Sequence, residues 1–201
     1  MAGLRSILKD PSTWPLMFVV SFSEHDDDLA QWRAYAPSFG GYTIGFAPAA
    51  LKRPPDSELV QCVYTAIEQR ERAKDLFNFL FRFVIIDADT PTGTLQLALR
   101  ELPFLAASCK HSSFSGEREW RVVLPVGATP SVEFRTSMSR IIPYQSFEFD
   151  DRSTTSCIKK IVIGPCPHPL LAEVGIKQIL AQDTFLSDVE LAPTDTSLRS
   201  W

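Results

Sequence analysis

Two short segments concentrate the residues with chemical reach. The first is Glu117-Arg118-Glu119-Trp120-Arg121, reached through Lys110-His111-Ser112-Ser113-Phe114-Ser115-Gly116. Side chains alternate faces along a strand, so Glu117, Glu119 and Arg121 are expected on one side and Arg118, Trp120 and Val122 on the other. Two carboxylates beside a guanidinium can orient a sugar, stabilise a developing cation and grip an anion. The same pattern also describes a solvated edge strand with two neutralising charge pairs, because charge runs usually face water. The second segment is Ser21-Phe22-Ser23, whose alternation puts both hydroxyls on one face and Phe22 on the other. Hydroxyls at the end of a buried strand hydrogen-bond an amide or a ribose, or they cap the helix that follows.

Other candidates are weaker. Trp32 and Tyr35, at i and i+3, form an aromatic pair on one helix face, which serves a core more often than a ligand platform. His25 and His111 lie beside the two segments, and His111 has the chemistry of an acid/base group. His168 sits between two prolines at a helix start and reads as structural. Cys62, Cys109, Cys157 and Cys166 form no C-x-x-C pair and complete no zinc pattern with the histidines, so no metal is expected. These cysteines read as small hydrophobes without a lowered thiol pKa. The Walker lysine motif, G-x-G-x-x-G, H-E-x-x-H and G-x-S-x-G are all missing.

The elements that must position these residues follow from pattern and punctuation. Leu16–Val20 is a short apolar run of strand formers that ends in the Ser21-Phe22-Ser23 segment. Asp26, Asp27 and Asp28 supply the cap and first-turn charge of a helix through Leu29, Trp32 and Tyr35, which Pro37 stops. Tyr42–Phe46 reads as a second strand pairing with or neighbouring the first. A strand near Leu59–Tyr64 precedes a helix from Thr65 to about Ile86. Ile67, Leu76, Phe77, Leu80, Phe81 and Val84 share its apolar face, and Glu68, Arg70, Glu71, Arg72 and Lys74 lie mainly outside. A turn at Asp87–Gly93 leads to a helix from about Thr94 towards Cys109, bent or restarted by Pro103. Strands are expected at 118–124, 132–135, 141–148 and 158–163, then a helix at 167–181 and a last strand near Val189–Leu191. This order predicts one α+β domain over residues 1–201, with a bent, largely antiparallel sheet and flanking helices.

The chain has 201 residues, long enough to bury a core, and is 45% hydrophobic and 22% charged, which excludes disordered and fibrous classes. A formal net charge of -4 argues against general binding to nucleic acid or anionic membranes. Arg5, Lys9, Asp10 and Pro11 interrupt the N-terminal stretch. The apolar runs at 16–20 and 77–86 are too short or too charged to span a bilayer, so a cytoplasmic protein without a membrane anchor is expected.

Several blocks, in order over about residues 16–199, resemble the family known as domain of unknown function 2971. They are Ser21-Phe22-Ser23-Glu24 with Asp27/Asp28, Trp32, Tyr35-Ala36 and Gly41…Ile44-Gly45-Phe46; then Lys110, Phe114 and the E-x-E-W-R of Glu117–Arg121; then Ile161-Val162-Ile163-Gly164-Pro165 and Ser197-Leu198-Arg199. The layout is in turn similar to ADP-ribosyltransferase-like proteins of the R-S-E type, which implies a split sheet and NAD as substrate. In that resemblance Ser21 and Ser23 match the S-x-S positions, Glu119 the catalytic glutamate and Glu117 the accessory acid. Phe22 or Trp32 would stack on nicotinamide, and the carboxylate would stabilise an oxocarbenium-like transition state, releasing nicotinamide or transferring ADP-ribose to a macromolecule. Tyr35 and Arg121 complete the expected NAD-binding set. The family places a strand and helix, with an early basic residue, before the S-F-S block. Here Arg5 is the sole arginine before it, so Arg118 or Arg121 takes the phosphate or the site is incomplete. The alternative expectation is a non-catalytic interaction module, for example in phage defence or a toxin–antitoxin setting, whose charges hold the fold.

Overall fold

A computed structural model describes residues 17–36, 40–86, 91–125, 132–150, 152 and 155–196. Arg5, Pro37, the first part of the expected Asp87–Gly93 turn, Gly127, Pro130 and the Ser197-Leu198-Arg199 tail lie outside those residues. In chain order the elements are β1 (Met17–Ser23), α1 (Leu29–Tyr35), β2 (Tyr42–Phe46), β3 (Glu58–Gln61), α2 (Ala66–Ile86), α3 (Pro91–Ser108), β4 (Glu119–Pro125), β5 (Glu133–Ser137), β6 (Arg140–Tyr144), β7 (Ile158–Ile163), α4 (Pro169–Gln182) and β8 (Glu190–Pro193). Helices combined with antiparallel and mixed sheets make this an α+β protein, the class the sequence predicts. The elements form two compact units, one from the chain up to Phe22 plus Pro54–Ser146, the other from Ser23–Arg53 plus residue 147 onward.

In the first unit β4 is the central strand of a sheet ordered β1-β4-β3. It runs antiparallel to β3, with Glu58 opposite Val123 and Gln61 opposite Trp120. Val122, Val123 and Leu124 are consecutive and all buried. Because neighbours on a strand point to opposite faces, both faces of β4 are covered, which is why this run does not alternate. Phe104 and Ala107 of α3 pack on Val123, with Met17 and Val60 completing the cluster.

Helix α2 begins in a reciprocal cap. The Glu68 carboxylate accepts from the Thr65 N–H at 3.0 Å and its hydroxyl at 2.7 Å, while Thr65 Oγ1 accepts from the Glu68 N–H at 3.2 Å. Its covered stripe is Gln69, Arg72, Leu76 and Leu80, at i, i+3 and i+4 spacings. The single apolar face read from the sequence is therefore split: Ile67, Phe77 and Phe81 are exposed, the two phenylalanines stacking at 6.1 Å, and Arg72 is half-buried rather than outside. Helix α3 starts at Pro91, so Pro91, Thr92 and Gly93 form its first turn instead of ending a loop. Strands β5 and β6 form an antiparallel hairpin, from Glu133 opposite Tyr144 to Ser137 opposite Arg140.

In the second unit the sheet order is β2-β7-β8. Strand β2 runs antiparallel to β7, with a bulge between Gly45 and Phe46, and β8 runs parallel to β7. This corrects the expectation that β2 pairs with or neighbours β1: its partner lies far along the chain, and local pattern does not encode non-local pairing. Asp28 caps α1, its carboxylate accepting from the N–H groups of Ala30 at 2.6 Å and Gln31 at 3.4 Å. Trp32 packs so tightly on Gly164 that a Cβ there would meet the indole ring at 2.7 Å. On α4, Ala172, Ile176 and Leu180 are half-buried, and Leu170, Leu171, Val174 and Ile179 face water.

Candidate functional site

The charged segment of the first unit is not one continuous strand. His111 caps a 3-10 turn at Ser112–Glu117, its Nδ1 accepting from the Ser113 N–H at 3.2 Å. Arg118 then adopts a left-handed backbone with φ 41°, and β4 begins only at Glu119. The strict alternation expected through Glu117, Glu119 and Arg121 fails for this reason, because a left-handed residue breaks the period of two. The turn nevertheless keeps Glu117 close, through Lys110.

The Lys110 ammonium donates to Glu117 Oε2 at 2.5 Å and to Glu119 Oε2 at 2.6 Å, and it lies 4.9 Å from the Phe114 ring centroid. Arg121 grips the Glu119 carboxylate bidentately, Nε on Oε1 at 3.0 Å and Nη2 on Oε2 at 3.1 Å. Its Nη1 donates to the Ala107 carbonyl at 2.7 Å, tying β4 to the end of α3. Ser21 of β1 adds a side-chain hydrogen bond to Glu119. The backbone of Glu119 is held too: its N–H donates to Tyr64 Oη at 2.7 Å, and its carbonyl accepts from the Cys62 N–H at 2.8 Å.

The Glu119 side chain is only 6% exposed. Burial pushes its carboxyl pKa upward, but the bonds from Arg121, Lys110 and Ser21 outweigh that and hold it at about 2. Burial works against the charge on Lys110 as well, and the Glu117 and Glu119 carboxylates more than offset it, raising the ammonium pKa. Burial pushes the Cys62 thiol up, away from nucleophilic thiolate character. Two carboxylates and two cations cancel in charge. Glu119 receives four side-chain donor contacts, about the number of acceptor sites a carboxylate possesses. Such a group stays ionised at neutral pH, cannot serve there as a general acid, and has its acceptor capacity filled by the protein.

Of the residues singled out from the sequence, Ser21, Glu117, Glu119 and Arg121 are thus brought together in the first unit. Phe22 is half-buried in β1. Ser23 belongs to the second unit, where its Oγ accepts from the His25 N–H at 3.1 Å, a local turn bond. Trp32 and Tyr35, also in the second unit, do not form the expected pair on one face: Trp32 is 5% exposed and Tyr35 70%. The reason is the anchoring of the indole. Trp32 Nε1 donates to Asp27 Oδ1 at 2.6 Å, and Asp27 also accepts from Thr194 Oγ1 at 2.6 Å and the Asp195 N–H at 2.7 Å. Burial raises the Asp27 pKa, but these bonds win and hold it below the usual carboxylate range.

Lys110 and Tyr64 are the contributors that reading the residue types missed. Lys110 carried one signal, its place ahead of the E-x-E-W-R run; Tyr64 carried none, since its contact depends on the β3–β4 register. Among the described residues no group of three or more His, Cys, Asp or Glu side chains is placed to hold a metal, and no helix is long and apolar enough to cross a membrane. The four cysteines are unbridged.

Residues 31–122 match the family described as Protein of unknown function (DUF2971). The family resemblance read from the sequence is borne out over that stretch, which includes Lys110, Glu117, Glu119 and Arg121. No curated protein and no solved structure matches the chain.

Proposed function

Taking the DUF2971 stretch as the premise, we propose that this protein is a non-catalytic, cytoplasmic interaction module whose Lys110–Glu117–Glu119–Arg121 cluster is architecture rather than catalysis. The observation that carries this is the saturation of Glu119, buried and bound by Arg121, Lys110 and Ser21. A glutamate that stabilises a developing sugar cation must present an unshared oxygen to it; here the charge is already spent on two protein cations. The cluster ties together β1, β4, the end of α3 and the turn before β4. Exposed apolar side chains on α2 (Phe77, Phe81) and α4 (Leu170, Leu171, Val174) support a role in contacting another protein.

A second reading keeps one specific support. The hydrogen bond between Ser21 and Glu119 links the S-x-S and E-x-E segments, as an ADP-ribosyltransferase-like NAD site would require. In that reading NAD is the substrate, Glu119 and Glu117 act on its nicotinamide glycosidic bond, and Ser21, Phe22 and Arg121 of the same unit bind it. Thermal melting with and without millimolar NAD separates the two. The module reading predicts no NAD-dependent rise in melting temperature. A saturable rise that Arg121→Gln removes favours the NAD site.

A further inference from the structure

Helices α2 and α3 of the first unit face each other through matching i, i+3, i+4 stripes: Arg72, Asp75 and Leu76 on one, Glu101, Phe104 and Leu105 on the other. The stripes do not close on one another. With Val60 of β3 they line a surface cavity of about 210 Å³. Positions along a helix–helix seam are normally apolar, since that is where burial is gained. Here three of the six are charged, and an unfilled space lies between them.

The charges define what would fit. Glu101 has a neighbour of opposite sign, Arg100, with Nε 3.6 Å from Oε1. The rim then offers one half-buried guanidinium, Arg72, whose charge also acts on Glu68 one turn back, and one exposed carboxylate, Asp75, beside Leu76, Phe104 and Val60. A wholly apolar guest would strip water from both charged groups and return no hydrogen bonds. A simple anion would leave Asp75 unmatched, and a simple amine would leave Arg72 unmatched. The cavity is smaller than the roughly 300–1,000 Å³ of pockets for drug-sized ligands. That puts it on the scale of a single small molecule such as an amino acid.

We propose that this cavity binds a small zwitterion with an apolar side chain, an α-amino acid of the leucine or phenylalanine kind. The ligand carboxylate meets Arg72, its ammonium meets Asp75, and its side chain lies on Leu76 and Phe104. The site shares no residue with the Glu119 cluster, so it stands or falls independently of the module and NAD readings. The test is a two-dimensional NMR titration of the full chain with L-phenylalanine, and with N-acetyl-L-phenylalanine amide as the uncharged control. Saturable shifts confined to α2, α3 and β3 are expected, with the control at least about tenfold weaker, a tenfold change being about 1.4 kcal/mol. Arg72→Gln and Asp75→Asn should each weaken L-phenylalanine by a similar factor with unchanged melting curves; should one fail to fold, the other decides. No saturable binding at millimolar amino acid, equal binding of the control, or wild-type affinity in a folded variant overturns the proposal.

Discussion

Replacing Glu119 by glutamine removes one charge from a carboxylate that Arg121, Lys110 and Ser21 share, while keeping its shape. A glutamate ordinarily near 4.5 that titrates at about 2 contributes about 3 kcal/mol at neutral pH, each pKa unit being worth about 1.4 kcal/mol. Removing one partner of a buried ion pair costs about 3–5 kcal/mol, because the cations left behind remain desolvated. For a chain of this size each kcal/mol lowers the melting temperature by roughly 2–4 °C, so a fall of roughly 6–20 °C is expected. The sign with pH follows from the depressed carboxyl. The unfolded chain takes up the proton more readily, so the wild-type advantage is complete above about pH 4.5 and is lost as the pH falls towards about 2. Urea denaturation followed by circular dichroism, at pH 7 and at pH 3, measures both. A loss below about 1 kcal/mol at pH 7, the value of an exposed pair, or a gap that does not narrow at pH 3 would show that Glu119 is not a buried, shared charge.

Tyr64→Phe deletes the acceptor for the Glu119 N–H and should cost about 1–3 kcal/mol in the same denaturation assay, the price of a buried donor left unmet. Gly164→Ala drives a methyl group into the Trp32 ring and should destabilise by about 1–3 kcal/mol, with a changed Trp fluorescence maximum as the local readout. Asp27→Asn weakens the bonds to Trp32, Thr194 and Asp195, so amide hydrogen exchange at 194–196 should accelerate while exchange in β4 stays unchanged.

Much of the local structure was legible in the sequence. Tyr42–Phe46 and Ile158–Ile163 are strands with the expected bounds, and the Asp28 cap and α1 follow from the acidic run before Leu29. What could not be read is what depends on distant partners. Nothing local to Tyr42–Phe46 says that β7 rather than β1 lies beside it. Helix α2 carries apolar residues on more than one face, so composition alone could not say that Leu76 turns inward and Phe77 outward. In the candidate site, the E-x-E-W-R run identified Glu117, Glu119 and Arg121. Its alternation misled because Arg118 is left-handed, a state that a non-glycine residue seldom announces. Lys110 bridges the two glutamates only because a 3-10 turn folds the intervening residues back, and that geometry is invisible in the residue types.

As an architectural residue, Glu119 would hold the first unit together and act on no substrate. The most direct measurement is nicotinamide release from NAD by the purified wild-type chain and by Glu119→Gln, each with a melting curve. No release above the buffer rate is expected from either protein, together with a large loss of thermal stability in the variant. Release by the wild type that vanishes in a Glu119→Gln protein of unchanged melting temperature would contradict this role and make Glu119 catalytic.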